Sequence, residues 1–292
     1  MEKQKIVFVI NPISGMVKKE NVGNQISLYI DKEKYDYQII NTEYATHAIE
    51  ITAHAVSNGA DIIVAVGGDG SVNEVVNGLK GSNVKLGIIP LGSGNGLARF
   101  LKIPFQIKTA IEVLNKGNFT AVDTVNVNDR VFLSIAGIGF DALVAKRFAK
   151  YHKRGFWSYF TIATKEYRMY RPKKYQLTLN GETITQRALM IVFANSDQFG
   201  YNTSIAPHAL INDGLIDVCI FKKIPTYKML FFIQLLFLKQ LDKTNYLEII
   251  KTDELWIERK RNKVVNIDGE PVRLTKNLHV KVNHLALNVI IP

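Results

Sequence analysis

Three short glycine-rich turns lie in the N-terminal part of the chain, and the middle one contains an aspartate. They are NPISG at 11–15, GGDG at 67–70 and LGSGNG at 91–96. Each follows an apolar run and leads towards a segment with helical character. Helix N-termini expose unpaired N–H groups and a partial positive charge, and glycine lets a ligand approach the backbone closely. The pattern therefore predicts a phosphate-binding site built from main-chain amides.

Asp69 lies inside the middle turn, where a carboxylate beside phosphates needs a cation between them. Phosphoryl transfer requires Mg²⁺ to neutralise charge, amides to hold the phosphates, and a carboxylate to take the proton of the acceptor hydroxyl. Asp69 is therefore a candidate catalytic residue. Ser71 and Glu74 have the S-x-x-E spacing of a capping box, so the start of a helix explains them equally well.

Other nucleotide and metal patterns are missing. The sequence contains no G-x-x-x-x-G-K-[ST] and no G-x-S-x-G, which excludes a P-loop and a hydrolase elbow. The G-x-G-x-x-A at 137–142 is followed by no acid before Lys165, so a dinucleotide site is rejected there. The six histidines are dispersed, with no H-x-x-x-H pair, so a zinc site is not expected.

Alternating strands and helices must position the three turns. Strands are predicted at 6–10, 35–41, 61–66 and 85–90, and helices at 17–30, 48–57, 72–79, 96–101 and 107–115. Apolar strands separated by helices predict a parallel sheet covered on both faces. Ligands bind beyond the carboxyl ends of the strands in such sheets, and all three turns lie at these ends.

The pattern changes near residue 122 to alternating and β-branched runs separated by NG, DG and proline signals. The predicted fold class is α/β plus all-β. An N-terminal parallel α/β nucleotide-binding domain spans 1–124, and a C-terminal antiparallel β-sandwich-like domain spans 125–292, with its last strand free to return to the first domain. Helical insertions are expected at 142–171 and 228–241. Asp268 and Gly269 have the pattern of a hairpin turn.

The net charge of +11 is concentrated in one segment. Residues 142–175 hold ten Lys or Arg and one acid, a net +9, together with nine aromatic residues. This composition favours an anionic partner such as a membrane surface or a nucleic acid. Five residues with helical spacing are predicted to form a buried stripe: Phe156, Phe160, Ala163, Tyr167 and Tyr170. The apolar segment 228–241 is too short to span a bilayer and is predicted to be a buried helix, with contact to the membrane interface as the alternative.

With these motifs in view, the chain resembles the diacylglycerol kinase catalytic family, a group of bacterial lipid kinases that also includes sphingosine and ceramide kinases. The marks are NPISG at 11–15, GGDGSVNEVVNGL at 67–79, PLGSGNGLAR at 90–99, AGIGFDA at 136–142, ALINDGLIDV at 209–218 and IDGEP at 267–271. GGDG alone also occurs in NAD kinases and phosphofructokinases, whereas its combination with PLGSGN and the distal DGE is specific. The loop at 92–95 looks more like the sphingosine and ceramide kinases than like the GTAND loop of many bacterial members.

The resemblance implies an ATP-dependent lipid kinase that uses Mg²⁺, with the nucleotide between the two domains. The positions expected to bind ATP are Asn11, Pro12, Ser14, Gly15, Thr42, Gly67, Gly68, Asp69, Gly70, Ser71, Asn73, Glu74, Gly92, Ser93, Gly94 and Asn95. Glu270 matches the carboxylate that acts as general base towards the lipid hydroxyl. Because the GGDG aspartate has that role in sphingosine kinases, both Glu270 and Asp69 are catalytic candidates.

The resemblance also implies a structural Mg²⁺ site. Leu210, Asp213 and Leu215 match positions where two backbone carbonyls and one carboxylate bind the ion. Such an oxygen-only set suits a hard cation. From the residues alone, Asp213 and Gly214 indicate no more than a turn.

Three functions fit the sequence to different degrees. The first is transfer of the γ-phosphoryl group of ATP to a hydroxyl of a membrane lipid, either diacylglycerol or a sphingoid base or ceramide. The second is an NAD kinase-like enzyme with a soluble substrate, which explains neither PLGSGN nor the basic segment. The third is a non-catalytic nucleotide-dependent protein that binds membranes or nucleic acids, ranked last because both candidate carboxylates are present.

The expected partners are a membrane lipid substrate and an anionic membrane surface, with no nucleic acid. β-Rich domains with edge strands often pair, so a homodimer is a further expectation. Cys219 is the only cysteine, which fits a reducing compartment. The opening MEKQKIVFVI reads as a first strand rather than a signal peptide. The expected location is therefore the cytoplasm, with peripheral association at the inner face of the membrane.

Overall fold

The computed structural model describes residues 3–13, 19–92, 94–151, 156–200 and 203–292. For six residues inside helices or strands it describes the backbone alone: Lys19, Glu20, Phe156, Phe199, Gly200 and Leu230. The chain divides into two compact units. The first comprises Met1–Val122 with Leu285–Pro292, and the second comprises Asp123–His284.

The first unit alternates strands with helices. Its strands are β1 (Gln4–Ile10), β2 (Tyr35–Asn41), β3 (Ile62–Gly67) and β4 (Lys85–Pro90). Its helices are α1 (Lys19–Tyr29), α2 (His47–Ser57), α3 (Asp69–Leu79), α4 (Gly96–Phe100) and α5 (Ile107–Lys116). The largest difference from the predicted bounds is at α3, which begins at Asp69 rather than at residue 72.

The second unit is dominated by strands. The elements that follow α5 are β5 (Phe119–Val127), β6 (Arg130–Phe132), β7 (Ile135–Gly139), α6 (Phe140–Ala149), α7 (Phe156–Met169), β8 (Lys173–Leu179), β9 (Glu182–Ala188), β10 (Met190–Ala194), β11 (Gln198–Gly200), β12 (Thr203–Ser204), β13 (Ile216–Phe221), α8 (Met229–Phe237), β14 (Leu247–Thr252), β15 (Glu254–Glu258), β16 (Lys263–Ile267), β17 (Glu270–Leu274) and β18 (Asn277–Ile290). Two single 3₁₀ turns lie at Thr226–Lys228 and Leu241–Lys243. β5 and β18 each begin in one unit and end in the other.

The sheet of the first unit is parallel, with the strand order β2-β1-β3-β4. Ile6, Phe8 and Ile10 of β1 pack in one apolar cluster with residues of α1 and α5. Helices α2 and α3 pack against each other and contact β1 and β3. Helix cover explains why these strands are near-continuous apolar runs. The end of β18 continues this sheet beside β4, where Val289 pairs with Leu86 in parallel.

In the described residues, the second unit contains two large antiparallel sheets and the short two-stranded sheet β11-β12. One large sheet has the order β14-β13-β10-β7-β16-β17, and the other contains β18-β15-β8-β9 with β5 and β6. Alternate residues of β10 face opposite sides: Ile191 and Phe193 lie in the core shared by the two sheets. Val192 belongs instead to a second cluster, which includes residues of α6, α7 and α8. The period of two confirms the antiparallel sandwich expected from the alternating pattern.

The helical insertions differ in part from the prediction. Residues 142–171 form two helices, α6 and α7, and Tyr167 and Tyr170 of the predicted stripe are buried against the six-stranded sheet. Phe160 is half-buried and lies edge-on to Trp157, while the side chain of Phe156 lies outside the described residues. The prediction of one buried helix over 228–241 is wrong, because α8 ends at Phe237 and has a solvent-facing side.

The exposed side of α8 results from one-sided packing. Phe232 is buried, whereas Phe231 next to it is 56% exposed. Within the described ranges, no helix combines the length and apolar character needed to cross a bilayer. The apolar residues of this segment therefore lie both on the side of α8 that packs on the sheet and on the side that faces solvent.

The close contact between α2 and α3 yields a stability prediction. A Cβ on Gly78 of α3 would lie 2.5 Å from Cβ of Thr52 and 2.7 Å from the carbonyl oxygen of Ile49. Gly78→Ala should therefore destabilise the protein by about 1–3 kcal/mol, because the helices must move apart. Gly23→Ala in α1 is the matched control, since nothing lies within 4 Å of its Cβ position.

The control should gain roughly 0.5–1 kcal/mol from the lower chain entropy of alanine. The free energy of unfolding, measured in urea, checks both substitutions. Equal stability of the two variants would contradict the close packing of α2 on α3.

Candidate active site

The glycine turns of the first unit meet at the carboxyl edge of its sheet. Strands β1 and β3 are neighbours, and the chain leaves them towards opposite sides, which is the switch point where ligands bind in such sheets. The turns are held side by side by main-chain bonds. The N–H of Asn11 donates to the carbonyl oxygen of Val66 at 3.0 Å, and the N–H of Leu91 donates to that of Gly67 at 2.8 Å.

The remaining predicted ATP-binding residues fall at the same edge or outside the described residues. The N–H of Thr42, which is buried, donates to the carbonyl oxygen of Ile10 at 2.8 Å. Asn11 accepts the N–H of Ile13 at its side-chain oxygen and shapes the turn that contains Pro12. Ser14, Gly15 and Ser93 lie outside the described residues.

The turns after β3 and β4 touch each other through their backbones. A Cβ on Gly92 would lie 2.7 Å from Cα of Gly68, and a Cβ on Gly94 would lie 2.7 Å from Oδ2 of Asp69. A Cβ on Gly92 would collide with the backbone of the other turn, and a Cβ on Gly94 would displace the carboxylate of Asp69. These contacts explain why glycine occupies both positions, in addition to the close approach of a phosphate that the sequence predicts.

Asp69 joins the two turns. Its Oδ2 accepts the N–H of Asn95 and its Oδ1 accepts the N–H of Gly96, both at 2.7 Å. Burial raises the pKa of this carboxyl, and the two amides and the nearby Arg99 offset only part of that effect. The first amides of α4 are therefore occupied by a carboxylate of the chain itself.

The loop after β4 is fixed by its own contacts as well. Asn95 has a left-handed backbone (φ 50°), and its side-chain amide donates to the carbonyl oxygen of Gly92 at 2.8 Å. Nε of Arg99 donates to the carbonyl oxygen of Gly94 at 2.8 Å. Contacts within the chain therefore hold Gly92, Gly94 and Asn95 in place.

The capping-box interpretation of Ser71 and Glu74 is wrong. Helix α3 begins at Asp69 with Gly68 as its N-cap, so Ser71 lies inside the first turn and is buried. Glu74 reaches another loop, where its Oε1 accepts the N–H of Thr46 at 3.0 Å. Glu74 therefore anchors the loop before α2 and does not cap α3.

Two further contacts at this edge escaped the sequence analysis. Tyr44, in the loop after β2, stacks on His47 with 4.3 Å between ring centroids. Its hydroxyl donates to Glu50 at 2.7 Å, and this bond raises the pKa of Tyr44. In α3, the side-chain amide of Asn77 donates to the carbonyl oxygen of Asn73 at 2.8 Å. The spacing Y-x-x-H directly after a strand was the available signal for the stacked pair.

In the second unit, Glu270 lies just after a hairpin turn and is exposed. Asp268 (φ 45°) and Gly269 (φ 91°) form the turn between β16 and β17, which confirms the hairpin prediction. The carboxylate of Asp268 accepts three successive amides, those of Leu133, Ser134 and Ile135, at 3.0–3.1 Å. The turn that carries Glu270 is therefore anchored to the segment between β6 and β7.

A second aspartate–glycine turn belongs to the predicted metal site. Gly214 has a left-handed backbone (φ 73°), and its N–H donates to the fully buried Asp123 at 2.7 Å. The other oxygen of Asp123 lies 2.9 Å from Nδ1 of His284. Asp123 and His284, which the sequence analysis did not single out, therefore fix the turn next to Asp213.

The residues predicted to bind a structural Mg²⁺ do not fit a divalent ion as they stand. Oδ1 of Asp213 accepts the N–H of Leu215 at 3.1 Å, and Oδ2 forms a 3.0 Å ion pair with Nζ of Lys251. Lys251 also lies 3.3 Å from the buried carboxylate of Asp217. Burial alone would lower the pKa of Lys251, but the bonds to Asp213 and the charge of Asp217 outweigh burial and raise it. An ammonium thus neutralises the carboxylate, and a divalent ion would have to displace it.

Side-chain clusters do not suggest another metal centre in the described part of the chain. No group of three or more His, Cys, Asp or Glu side chains lies there in an arrangement that could hold a metal ion. The buried Asp141 bonds to Asn266 at 2.8 Å, and burial raises its pKa to about 6. This carboxyl occupies the space beside Gly137, where any larger residue would collide with it.

Family models match both units. Residues 5–127 match the diacylglycerol kinase catalytic domain, and residues 134–291 match the YegS C-terminal NAD kinase beta sandwich-like domain. A diacylglycerol kinase of Mycobacterium tuberculosis (strain CDC 1551 / Oshkosh) is 29% identical over 222 residues, which cover 73% of this chain and 72% of that protein. A diacylglycerol kinase of Staphylococcus saprophyticus is 25% identical over 225 residues, covering 76% and 74% of the two chains.

Solved structures share the fold. A diacylglycerol kinase from Bacillus anthracis str. Sterne superposes with a TM-score of 0.76 at 20% identity, covering 100% of this chain and 98% of that one. The shared fold confirms the predicted fold class, an α/β domain followed by an antiparallel β domain. The matching catalytic-domain model and the related kinases define the class as ATP-dependent lipid kinases. The chain belongs to the diacylglycerol kinase catalytic domain family.

The bond between Asp69 and the loop after β4 predicts a local change in hydrogen exchange. Asp69→Asn replaces one acceptor oxygen with an NH₂ group that faces an N–H. The amides of Asn95 and Gly96 should therefore exchange faster by on the order of tenfold or more. Asp36→Asn, at an exposed position of β2, is the control and should leave both amides unchanged. Unaltered protection of the two amides in Asp69→Asn would show that the carboxylate does not hold the loop.

The ion pair of Lys251 predicts how Mg²⁺ affects stability. Lys251→Met leaves the carboxylates of Asp213 and Asp217 without their ammonium, so the variant should be less stable by about 1–3 kcal/mol without metal. MgCl₂ should then raise its melting temperature by a few degrees more than that of the wild type, because the ion binds the vacated carboxylates. Thermal unfolding with and without MgCl₂ measures this difference.

Lys222→Met, at an exposed position of the same unit, is the control for loss of charge. Adding Asp213→Asn to Lys251→Met should remove the extra response to Mg²⁺. An equal response of wild type and Lys251→Met would mean that Lys251 does not compete with the ion.

Proposed function

We propose that this protein transfers the γ-phosphoryl group of ATP to a hydroxyl group of a membrane lipid, namely diacylglycerol or a sphingoid base or ceramide. The observation that carries the proposal is the pair of glycine turns clamped together by Asp69 at the switch point of a parallel sheet. Membership of the diacylglycerol kinase family gives ATP as the donor and a lipid as the acceptor class.

We assign the phosphates of ATP to the turns after β1 and β3 and to the N-terminus of α3. The amides at the start of α4 are bonded to Asp69, so the start of α3, with Gly70 and Ser71, remains for the phosphates. Asn11 directly follows β1, the neighbour of β3, and Thr42 directly follows β2, the next strand beyond β1. Mg²⁺ bound with ATP supplies positive charge that neutralises the phosphate oxygens.

We assign the two catalytic candidates to different tasks. Asp69 uses both carboxylate oxygens to hold the loop after β4, so it is a positioning residue. Glu270 is exposed at the end of an anchored hairpin and is the general base. Its carboxylate takes the proton of the lipid hydroxyl while that oxygen forms a bond to the γ-phosphorus. The bond between the γ-phosphorus and the β–γ bridging oxygen breaks, and ADP leaves.

We assign the membrane-facing surface to helices α7 and α8. Both pack on the same face of the six-stranded sheet, and both expose large apolar side chains. Trp157 on α7 is 76% exposed, and Leu238 just after α8 is 63% exposed. Lys165 and Arg168 are exposed on α7 itself, and each such residue is worth about 1 kcal/mol near an anionic membrane. This surface supports peripheral association with the inner face of the membrane, whereas a homodimer stays a prediction.

The role of Glu270 predicts a selective loss of turnover. The wild type should transfer label from [γ-³²P]ATP to a lipid in mixed vesicles that contain diacylglycerol, sphingosine, dihydrosphingosine or ceramide. Glu270→Gln should lower this rate by roughly 10²–10⁴-fold, because the hydroxyl loses its general base. ATP binding, measured by calorimetry, should stay unchanged.

The chain offers a matched control for this variant. Glu182 is also the first residue after a hairpin turn, at Asn180 and Gly181, and Glu182→Gln should keep full activity. Full activity of the Glu270→Gln variant would exclude Glu270 as the general base. If NAD is added to the same assay, transfer of the label to NAD and not to lipid would favour a soluble-substrate kinase of the NAD kinase type.

A further inference from the structure

A basic cavity of about 530 Å³ lies within the second unit, among strands β8, β9, β15 and β16. Six of its lining residues are cationic: Lys173, Lys174, Arg187, Arg259, Lys260 and Lys263. The other lining residues, such as Tyr175 and Thr185, carry no charge. The volume falls within the usual range for small-molecule sites, and no carboxylate balances the cations among the described residues that line the cavity.

Arg259 is the most deeply buried of these cations, with 4% of its surface exposed. One terminal nitrogen of its guanidinium donates to the carbonyl oxygens of Leu274 and Thr275. Its Nε has no acceptor among the residues that the structure describes. A buried charged donor without a partner costs free energy, and an anion in the cavity would satisfy it.

The lysines of the cavity repel one another. Burial and the charges of Lys263 and Arg261 lower the pKa of Lys173 to about 8. Burial, Arg261 and Arg259 likewise lower the pKa of Lys263. The Lys173 ammonium lies 4.5 Å from the centroid of the Tyr170 ring. Among the described residues that line the cavity, the cations therefore face one another without a carboxylate between them, as expected of a site that binds an anion.

The cavity is separate from the turn that carries Glu270. Lys263 and Glu270 occupy opposite ends of the hairpin formed by β16 and β17: Lys263 pairs with Leu274, and Glu270 pairs with Ile267. Four residues along a strand span roughly 13 Å. The cavity therefore lies on the same hairpin as the proposed base but not at the proposed site of phosphoryl transfer.

We propose that this cavity binds a phosphate-bearing anion. Phosphate fits better than a single carboxylate, because it offers three acceptor oxygens and up to two charges to several convergent cations. The same chemistry occurs in a free phosphate or soluble phosphate ester and in the headgroup of an anionic phospholipid. Bound there, the anion accepts hydrogen bonds from the lysines and from Arg259 and relieves their repulsion.

The test compares two double variants of the full chain. Lys173→Gln with Lys263→Gln removes two cations from the cavity, and Lys222→Gln with Lys243→Gln removes two from exposed positions of the same unit. Each protein is melted with and without inorganic phosphate. Each is also sedimented with phosphatidylcholine vesicles that contain or lack phosphatidic acid.

Phosphate should raise the melting temperature of the wild type and of the control, and the cavity variant should lose most of this shift. Its affinity for the anion should fall at least tenfold, since two charge-assisted hydrogen bonds are lost. Without any anion, the cavity variant should melt at or above the wild-type temperature, because the repulsion is gone. That behaviour separates a binding role from a structural one.

The arms of the test distinguish the two sources of phosphate. Loss of the response to phosphate with unchanged sedimentation identifies a soluble phosphate ligand. A specific loss of sedimentation with vesicles that contain phosphatidic acid identifies a lipid headgroup. Equal responses of the cavity variant and the control in both arms would overturn the proposal, as would a wild type that responds to neither probe.

Discussion

One carboxylate holds the candidate ATP site in shape. Asp69 binds the amides of Asn95 and Gly96, and this bond requires the turns after β3 and β4 to touch. The contact between the turns leaves no room for a Cβ at Gly92, and the carboxylate of Asp69 fills the space beside Gly94. The bond also occupies the first amides of α4, and in our proposal the phosphates therefore bind at the N-terminus of α3.

In the second unit, too, aspartate carboxylates anchor turns by accepting backbone amides. Asp268 binds three amides and anchors the turn before Glu270, and Asp123 binds the amide of Gly214 and anchors the turn after Asp213. A carboxylate that accepts several amides is occupied and cannot readily take a proton from a substrate. Each of these aspartates anchors a turn, which agrees with our proposal that Asp69 is a positioning residue and that Glu270 is the general base.

The sequence allowed the strands, the order of secondary structure and the hairpin at Asp268 to be predicted, because each depends on local periodicity or turn geometry. The role of Asp69 could not be predicted, since its partner amides lie 26 and 27 residues away. The capping-box interpretation was wrong for the same reason. Local spacing suggested that Ser71 and Glu74 cap the helix together, whereas Glu74 bonds to Thr46 in another loop. The segment 228–241 was misjudged because an all-round apolar composition does not show which side packs on a sheet. The basic cavity was missed because pairing of β15 with β8 brings distant positions together.

Two groups of lysines in the second unit differ in their charged neighbours: the exposed Lys251 on one side, and the half-buried Lys173 and Lys263 on the other. Lys251 pairs with Asp213 and Asp217, so its charge is neutralised by the protein itself and its pKa is raised. Lys173 and Lys263 face other cations instead, and their pKa values are lowered. A cluster of the second kind destabilises the fold unless something anionic binds to it. Because the chain supplies carboxylates at one site and none at the other, the unbalanced cluster is better explained by a ligand than by folding.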